Sequence, residues 1–464
     1  MAISKNVGNI TKILSRLLNN PTSNKLTNEI LTGLSKIPAY GHLIAKQGRK
    51  ITESIKNLVS PAPFFEQFGL SYTGPVDGHD LRKLIHTLSQ LKECPSPVVV
   101  HCITQKGKGL SMAIKNPSSY HGAAPFDLQS GQFLSSSSQL TFPKIFGKTI
   151  AQMGEENPSL FVFTPAMMEG SCLKEFAKKF PERTIDVGIA EGHCLTFAGG
   201  LAHGKELRPV VSIYSTFLQR AFDNLFHDIC LQEAPIILAI DRAGLNGPDG
   251  VTHHGIYDIG FLQAMPNLCI AQPRNGRLLK ELLQTALLSS KPFALRYPNR
   301  ETDDEADHPL EPRQIGKGET LVAGKKVLLL PLGHMVQTAF QVQGRLLQEG
   351  IAPTIIDPIF IKPLDHSLLL EALSSHDLVV TIEEHSLMGG FGSIVCQFCM
   401  QNGLSSIRLL NCALPDRFLQ HGSNQELLKE AGLDAETISQ KILSHIDLNQ
   451  RTFAYPYDHS TLPQ

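Results

Sequence analysis

No unbroken apolar run in the 464 residues approaches the roughly 18 that a membrane-spanning helix needs; the longest are pieces such as APIILAI and PSPVVVHCI. Neither sign of charge is in excess. With 42 Lys and Arg against 43 Asp and Glu, the net charge of -1 gives no electrostatic reason to expect nucleic acid or an anionic membrane as partner. The nine cysteines are odd in number and follow no framework spacing, which points to reduced thiols and a cytoplasmic setting. Cys396 and Cys399 form a CxxC on an apolar helical stretch and read as packed free thiols. No HExxH or paired-cysteine zinc spacing occurs. GKT at 147–149 is not a phosphate loop, because the glycine required five residues earlier is Phe142.

What is present is a chain long enough for about three ordinary domains. The amino-terminal stretch MAISKNVGNITKILSRLLNN is basic and free of Asp and Glu, as transit peptides are. Its pattern continues through ILTGLSKIPAYGHLIAKQGRKITESIKNLV, so it reads as lysine-rich helices with apolar stripes and not as a cleavable leader. A strand, PVVVHCITQKGKG, follows, and the polar tract QSGQFLSSSSQL closes a first part near residue 138. From 139 to 315, helices alternate with the apolar strands LFVFT, PVVSIYS and PIILAIDRAG, which predicts a mostly parallel α/β sheet. The charged stretch NRETDDEADHPLEPRQIGKG marks the next boundary. Residues 316–464 then form a smaller βα domain, with KVLLLPLG, PTIIDPIF and LVVTIEEH as strands and the glycine-rich MGGFGS opening a helix.

Candidate chemistry concentrates in the middle part. In TIDVGIAEGHCLTFAGGLA, Glu191 stands between an apolar strand end, Ile185 to Ala190, and a helix with Leu195, Phe197, Ala198 and Leu201 at helical spacing. Both flanks predict burial, and a desolvated carboxyl kept near neutral can exchange a proton with a bound heterocycle. A glutamate at a helix start also simply suits the helix dipole. Its company favours the first reading. YSTFLQRAFDN puts Tyr214, Phe217 and Arg220 at a strand's carboxyl end, the edge where open α/β sheets bind ligands. DRAGLNGPDGVTHHG presents Asp249 and His253 on a glycine-rich loop, and ALRYPNR presents Arg296. Arg220 and Arg296 are expected to fork onto a phosphate, with Asp249 and His253 as proton-transfer groups beside it.

DVGIAEGH, YSTFLQRAFD, DRAGLNGPDGVTHHG, LRYP, GPVDGHD, KGKG, YHGAAPFD, EEHSLMGGFGS and LPDRF resemble, in order, the blocks of the 1-deoxy-D-xylulose-5-phosphate synthase family, within the thiamine-diphosphate-dependent transketolase-like group. The resemblance implies condensation of pyruvate with glyceraldehyde 3-phosphate with loss of carbon dioxide, serving non-mevalonate isoprenoid, thiamine and pyridoxal synthesis. It implies a homodimer with thiamine diphosphate and Mg²⁺ as cofactors. It assigns Glu191 to the cofactor's aminopyrimidine and Phe217 to stacking on that ring. Tyr214, Arg220 and Arg296 go to the acceptor phosphate, and Asp249 and His253 to substrate orientation and proton movement. His121 and Lys106 reach the site from the first domain.

Two departures are local: Gly192 where family members commonly have Gln, and Met168 where they commonly have Arg. A third concerns the start. Family chains carry, upstream of the segment that Met1 resembles, a Gly-Asp-Gly…Asn block that binds Mg²⁺ and the diphosphate. Residues 1–138 are therefore expected to be a remnant of the diphosphate-binding domain, with 139–315 the pyrimidine domain, 316–464 the transketolase C-terminal domain, and no metal ligands of their own. On that expectation a synthase competes with an inactive relic or binding subunit, and with a beta-subunit-like half of a two-chain enzyme; YHGAAPFD and GPVDGHD argue against the last.

Overall fold

The computed structural model describes residues 62–134, 139–204, 206–304, 309–404 and 407–451. The lysine-rich helices expected before residue 60, and residues 135–138 of the serine tract, lie outside these. The chain divides into two compact units, Met1–Ser136 and Ser137–Gln464.

In the first unit two parallel strands, β1 (Ser71–Asp77) and β2 (Val98–Ile103), are joined through helix α1 (Leu81–Leu91). Asp80 caps α1 by accepting from the Lys83 N–H, which satisfies one of the free donors at a helix start. Farther along, the rings of Tyr120, Phe126 and Phe133 gather with centroids 5.0–6.1 Å apart.

The second unit is built on two sheets. The larger has seven strands in the order β12–β7–β8–β6–β5–β3–β4: β3 (Leu160–Thr164), β4 (Thr184–Asp186), β5 (Arg208–Tyr214), β6 (Ile237–Asp241), β7 (Cys269–Ala271), β8 (Phe293–Arg296) and β12 (Phe360–Lys362). All neighbours are parallel except β12, which runs antiparallel to β7. Such strands must be apolar on both faces. In β6, Ile237 and Ala239 join the core formed with helix α2 (Phe142–Glu156) and helix α4 (Gly276–Leu288), while Leu238 and Ile240 face the core formed with helix α3 (Glu191–Ala202). Thr141 and Asn275 cap α2 and α4 through side-chain oxygens.

The smaller sheet, β14–β13–β10–β11–β9, comprises β9 (Glu319–Val322), β10 (Lys326–Pro331), β11 (Thr354–Asp357), β13 (His376–Ser386) and β14 (Arg408–Leu414). Only β9 is antiparallel to its neighbour. Leu328 and Leu330 of β10 share the α3-side core with the larger sheet, whereas Val327 and Leu329 pack against helix α5 (Val336–Gln348) and helix α8 (Ala435–Arg451). Helices α6 (Phe391–Gln401) and α7 (Asn424–Glu430) complete this half.

Two expectations need correction. PTIIDPIF does not form one strand. Ile359 turns with φ 56° between β11 and β12, so the second piece leaves for the edge of the larger sheet. The approach to Glu191 is also less buried than expected: Ile189 is 63% exposed and Phe197 of α3 is 42% exposed. The reason is position, since β4 is an edge strand and the chain turns away from it at Gly188, φ 73°.

Candidate active site

Glu191 opens α3 just beyond the carboxyl end of β4, and its side chain is buried although Ile189 is not. Its Oε1 stands 3.4 Å from Nη1 of Arg220, whose own side chain is 63% exposed. A buried carboxylate thus meets one cation that reaches it from solvent. The expected neighbour of Arg220 is absent from this contact.

Tyr214 ends β5 and Phe217 lies in the short helix Ser215–Leu218 that follows. Their rings stack with centroids 5.5 Å apart at 13°, and His253 meets the Phe217 ring edge-on at 5.5 Å. Aromatic faces in offset contact resist rotation, so Phe217 presents a fixed apolar plane. Tyr214 is itself clamped. The Arg242 guanidinium lies 4.3 Å above its ring, and Gly170 leaves room for its hydroxyl, since a Cβ there would sit 1.9 Å from the phenol oxygen. Burial raises the Tyr214 phenol pKa well above its ordinary value, so it acts as a neutral donor or acceptor.

The loop after β6 carries Asp249 and His253. Asp249 is exposed, His253 is half-buried, and the His253 Nδ1 lies 2.9 Å from Thr252 Oγ1. Asn246, buried inside the loop, donates through Nδ2 to the carbonyls of Arg242, Gly244 and His253. The base of the loop is closed by reciprocal hydrogen bonds between Gly244 and Gly255 of 2.7 and 2.8 Å. At its root Arg242, with φ 59°, pairs with Asp241 and donates to the Gly170 carbonyl at 2.7 Å. Burial raises the Asp241 pKa against the pull of Arg242.

Glu191, Tyr214, Phe217, Arg220, Asp249 and His253 therefore lie on the carboxyl-end loops of β4, β5 and β6. Arg296 does not join Arg220. It is 1% exposed at the end of β8 and locked to Asp258 by two bonds, Nε to Oδ2 at 2.8 Å and Nη2 to Oδ1 at 2.9 Å. Nη1 donates to Gln272, and the Ile259 N–H beside Asp258 donates to His385 of β13. Every guanidinium nitrogen is engaged within the interior, so the expected phosphate fork is replaced by a structural ion pair. Lys106 and His121 belong to the first unit, where the Lys106 Nζ lies 2.8 Å from the His121 Nδ1. Burial, then the Lys106 charge, lowers the His121 pKa.

The two local departures have physical counterparts. A Cβ at Gly192 would lie 2.6 Å from Asn224 Oδ1, so Asn224 occupies the space of a larger residue there. Its Nδ2 donates to Thr196 Oγ1 at 2.9 Å. Met168 packs half-buried against the core beneath α2. Sequence reasoning passed over Arg242 and Asn246, whose signal was their place in the DRAGLN run directly after a strand.

The comparisons agree with this architecture. Residues 1–104 match the family described as 1-deoxy-D-xylulose-5-phosphate synthase, 138–304 the transketolase pyrimidine binding domain, and 316–438 the transketolase C-terminal domain. The 1-deoxy-D-xylulose-5-phosphate synthase of Chlamydia pneumoniae is 47% identical over 97% of this chain, which spans 71% of that protein. The same enzyme of Chlamydia felis is 46% identical with the same coverage. Among solved structures, a chain titled split gene transketolase, inactive beta4 tetramer, aligns with TM-score 0.60 and 28% identity over 67% of this chain and 99% of its own length. The transketolase of Campylobacter jejuni, 14% identical over 82% of this chain and 68% of its own, shares the fold with TM-score 0.54.

Proposed function

This chain belongs to the 1-deoxy-D-xylulose-5-phosphate synthase family of transketolase-like transferases, and we propose that its site joins pyruvate to glyceraldehyde 3-phosphate, with loss of carbon dioxide, to give 1-deoxy-D-xylulose 5-phosphate. The product would feed isoprenoid, thiamine and pyridoxal synthesis. The observation that carries the reading is the buried Glu191 carboxylate at the carboxyl edge of the parallel sheet.

The family implies thiamine diphosphate and a divalent metal. The residues fit one end of that cofactor. A buried carboxylate and the held face of Phe217 are the donor set that an aminopyrimidine ring needs, one for proton exchange and one for a flat apolar contact. For the other end, the described residues contain no group of three or more His, Cys, Asp or Glu able to hold a metal ion. No residue is assigned to it. When bound, thiamine diphosphate supplies the carbanion chemistry of decarboxylation and carbon–carbon bond formation.

The chain's own part is position and proton control. Glu191 would hold and return a proton for the bound aminopyrimidine, its burial keeping water from that exchange. Phe217, kept in place by Tyr214 and Arg242, fixes the ring plane. Arg220, exposed and free to swing from Glu191, is the cation for the acceptor phosphate, with Tyr214 beside it. Asp249 and His253 orient the substrates and move protons during carboligation. Arg296 acts by holding Asp258 and not by touching substrate. On this reading residues 1–138 belong to the diphosphate-binding domain, 139–315 to the pyrimidine domain and 316–464 to the C-terminal domain.

All nine cysteines are unpaired, which supports a reducing, cytoplasmic setting, and no helix among the described residues is long and apolar enough to cross a membrane. The family pattern supports a homodimer. The test is isothermal titration of the full-length gene product with thiamine diphosphate and Mg²⁺, beside assays of carbon dioxide release and product formation. Release that depends on glyceraldehyde 3-phosphate and yields the five-carbon phosphate is expected. Carbon dioxide release indifferent to the aldehyde would overturn the assignment.

A further inference from the structure

The loop Arg242–Gly255, on which the reading above places Asp249 and His253, is held from outside as well as by Asn246. The Leu245 N–H donates to Oε1 of Glu384 on β13, at 3.2 Å. Two residues on, the Gly247 N–H donates to Oδ1 of Asn424, the first residue of α7, at 2.8 Å. The Gly247 carbonyl accepts from the Gly422 N–H at 2.9 Å, so both polar groups of that peptide position are taken up by the 422–424 segment. The approach is close enough to require glycine, because a Cβ at Gly247 would lie 2.2 Å from the Gly422 oxygen. Asp249 follows at once, its N–H donating to the Asn246 carbonyl at 3.1 Å, and His253 is tied to Gly250 at 2.9 Å. The turns that carry Asp249 and His253 thus begin at Asn246 and Gly250, on either side of the anchored Gly247.

Glu384 is itself fixed by Arg300 and His334, and is fully buried. Asn424 is not needed to start its own helix. Ser423 does that through a capping box, accepting from the Glu426 N–H while Glu426 accepts from the Ser423 N–H. Its carboxamide is left to the loop.

We infer that the half of the molecule built on the smaller sheet serves the reaction by setting this loop, with Asn424 a positioning residue that holds Asp249 and His253 through the Gly247 amide. Leu245 of the loop packs in the same core as Leu427 of α7, and a hydrogen bond from the loop backbone to a side chain on that packed helix removes loop states in which the two functional groups point elsewhere. Glu384 supplies the root anchor of the loop and Asn424 the second anchor beyond it.

The experiment compares Asn424→Ala and Asn424→Asp in the full-length protein. Asparagine to aspartate keeps an oxygen for the Gly247 N–H, and alanine removes it. Hydrogen exchange at the Gly247 amide should quicken about fivefold to tenfold in the alanine variant, the effect of losing one such bond, while amides of α7 keep their rates. The kcat should fall with the KM for pyruvate held within about twofold, and aspartate should restore both exchange and kcat. Unchanged Gly247 exchange in Asn424→Ala, or equal loss in both variants, would overturn the inference. Wild-type turnover in His253→Ala would instead sink the functional reading and the catalytic half of this inference with it, leaving Gly247 protection to decide the positioning half.

Discussion

Arg220 Nη1 stands 3.4 Å from Glu191 Oε1, an ion pair with one member buried and the other largely in solvent. Such a pair is lopsided. The carboxylate cannot leave, whereas the arginine is screened by water and can exchange its partner for another anion at small cost. On the proposed reading, the same guanidinium would leave Glu191 for the phosphate of the acceptor.

Glu191→Gln keeps the shape and removes the group that can take up and release a proton. We expect turnover to fall about a thousandfold, in the range of lost general acid–base catalysis, with thiamine diphosphate affinity measured by titration changing far less. Wild-type turnover in the variant would end the assignment.

Arg220→Ala tests the other member. It should raise the KM for glyceraldehyde 3-phosphate well above any change in the KM for pyruvate, because only the former carries the phosphate. Equal effects on both would mean that Arg220 acts through Glu191 alone.

Arg296→Ala, by contrast, should act on stability. It leaves the Asp258 carboxylate buried and unpaired, a change that typically costs about 3–5 kcal/mol. A lower urea midpoint is expected, and lysine should not rescue it because it cannot make the bidentate contact seen here. A fully stable alanine variant with a selectively raised KM for the aldehyde would return Arg296 to the phosphate site.

The contrast between the two arginines shows where sequence reading succeeds. The apolar runs of β3, β5, β6 and β10 are legible because strands buried on both faces admit little else. Glu191, Phe217 and Asp249 are legible because strand-to-loop junctions lie at one edge of such a sheet. Arg296 sits at the same kind of junction, yet its partner Asp258 is 38 residues away and only the folded chain shows that it faces inward. The anchors of the loop are farther still, Glu384 and Asn424 lying 139 and 177 residues from the amides they hold. Local pattern carries no trace of such pairings. Ile189 was misjudged because hydrophobicity cannot tell an edge strand from a central one.

Neighbouring carboxylates on β13 are driven in opposite directions. Burial pushes Glu383 up to about 7, against the two N–H donors of Phe391 and Gly392, while Arg300 and His334 overcome the burial of Glu384 and lower it to about 2. The folded Glu383 keeps its proton above the pH at which the unfolded chain, near 4.5, has lost it. Its contribution to stability is thus present below pH 4.5 and is lost as pH rises to about 7, by about 3 kcal/mol. Glu384 has the reverse sign, its contribution being present above pH 4.5 and lost as pH falls toward 2. Glu383→Gln cannot titrate, so the stability difference between wild type and variant should shift in favour of the variant between pH 5 and 8 in urea unfolding. A difference independent of pH would show that Glu383 stays ionised in the fold.

Three glycines of α3 provide a matched test of packing against helix propensity. In a helix interior, Gly→Ala normally stabilises by about 0.8–1 kcal/mol. At Gly200 nothing lies within 4 Å of the added Cβ, so Gly200→Ala should realise most of that gain. At Gly199 the Cβ would meet Ile229 Cδ1 at 2.8 Å and the Asp228 carbonyl oxygen at 2.9 Å, and backbone cannot yield as a side chain can. Gly199→Ala should therefore destabilise, by about 1–3 kcal/mol of overpacking. Gly192 lies between these cases. Its Cβ meets Asn224 Oδ1 at 2.6 Å, the end of a side chain whose Nδ2 donates to Thr196 and Asp228, so that moving it disturbs both bonds. Gly192→Ala should cost stability in the wild-type background and should cease to do so once Asn224 is replaced by Ala, giving a favourable coupling in a double-mutant cycle followed by urea unfolding. Additive effects would mean that Asn224 is not what keeps position 192 small.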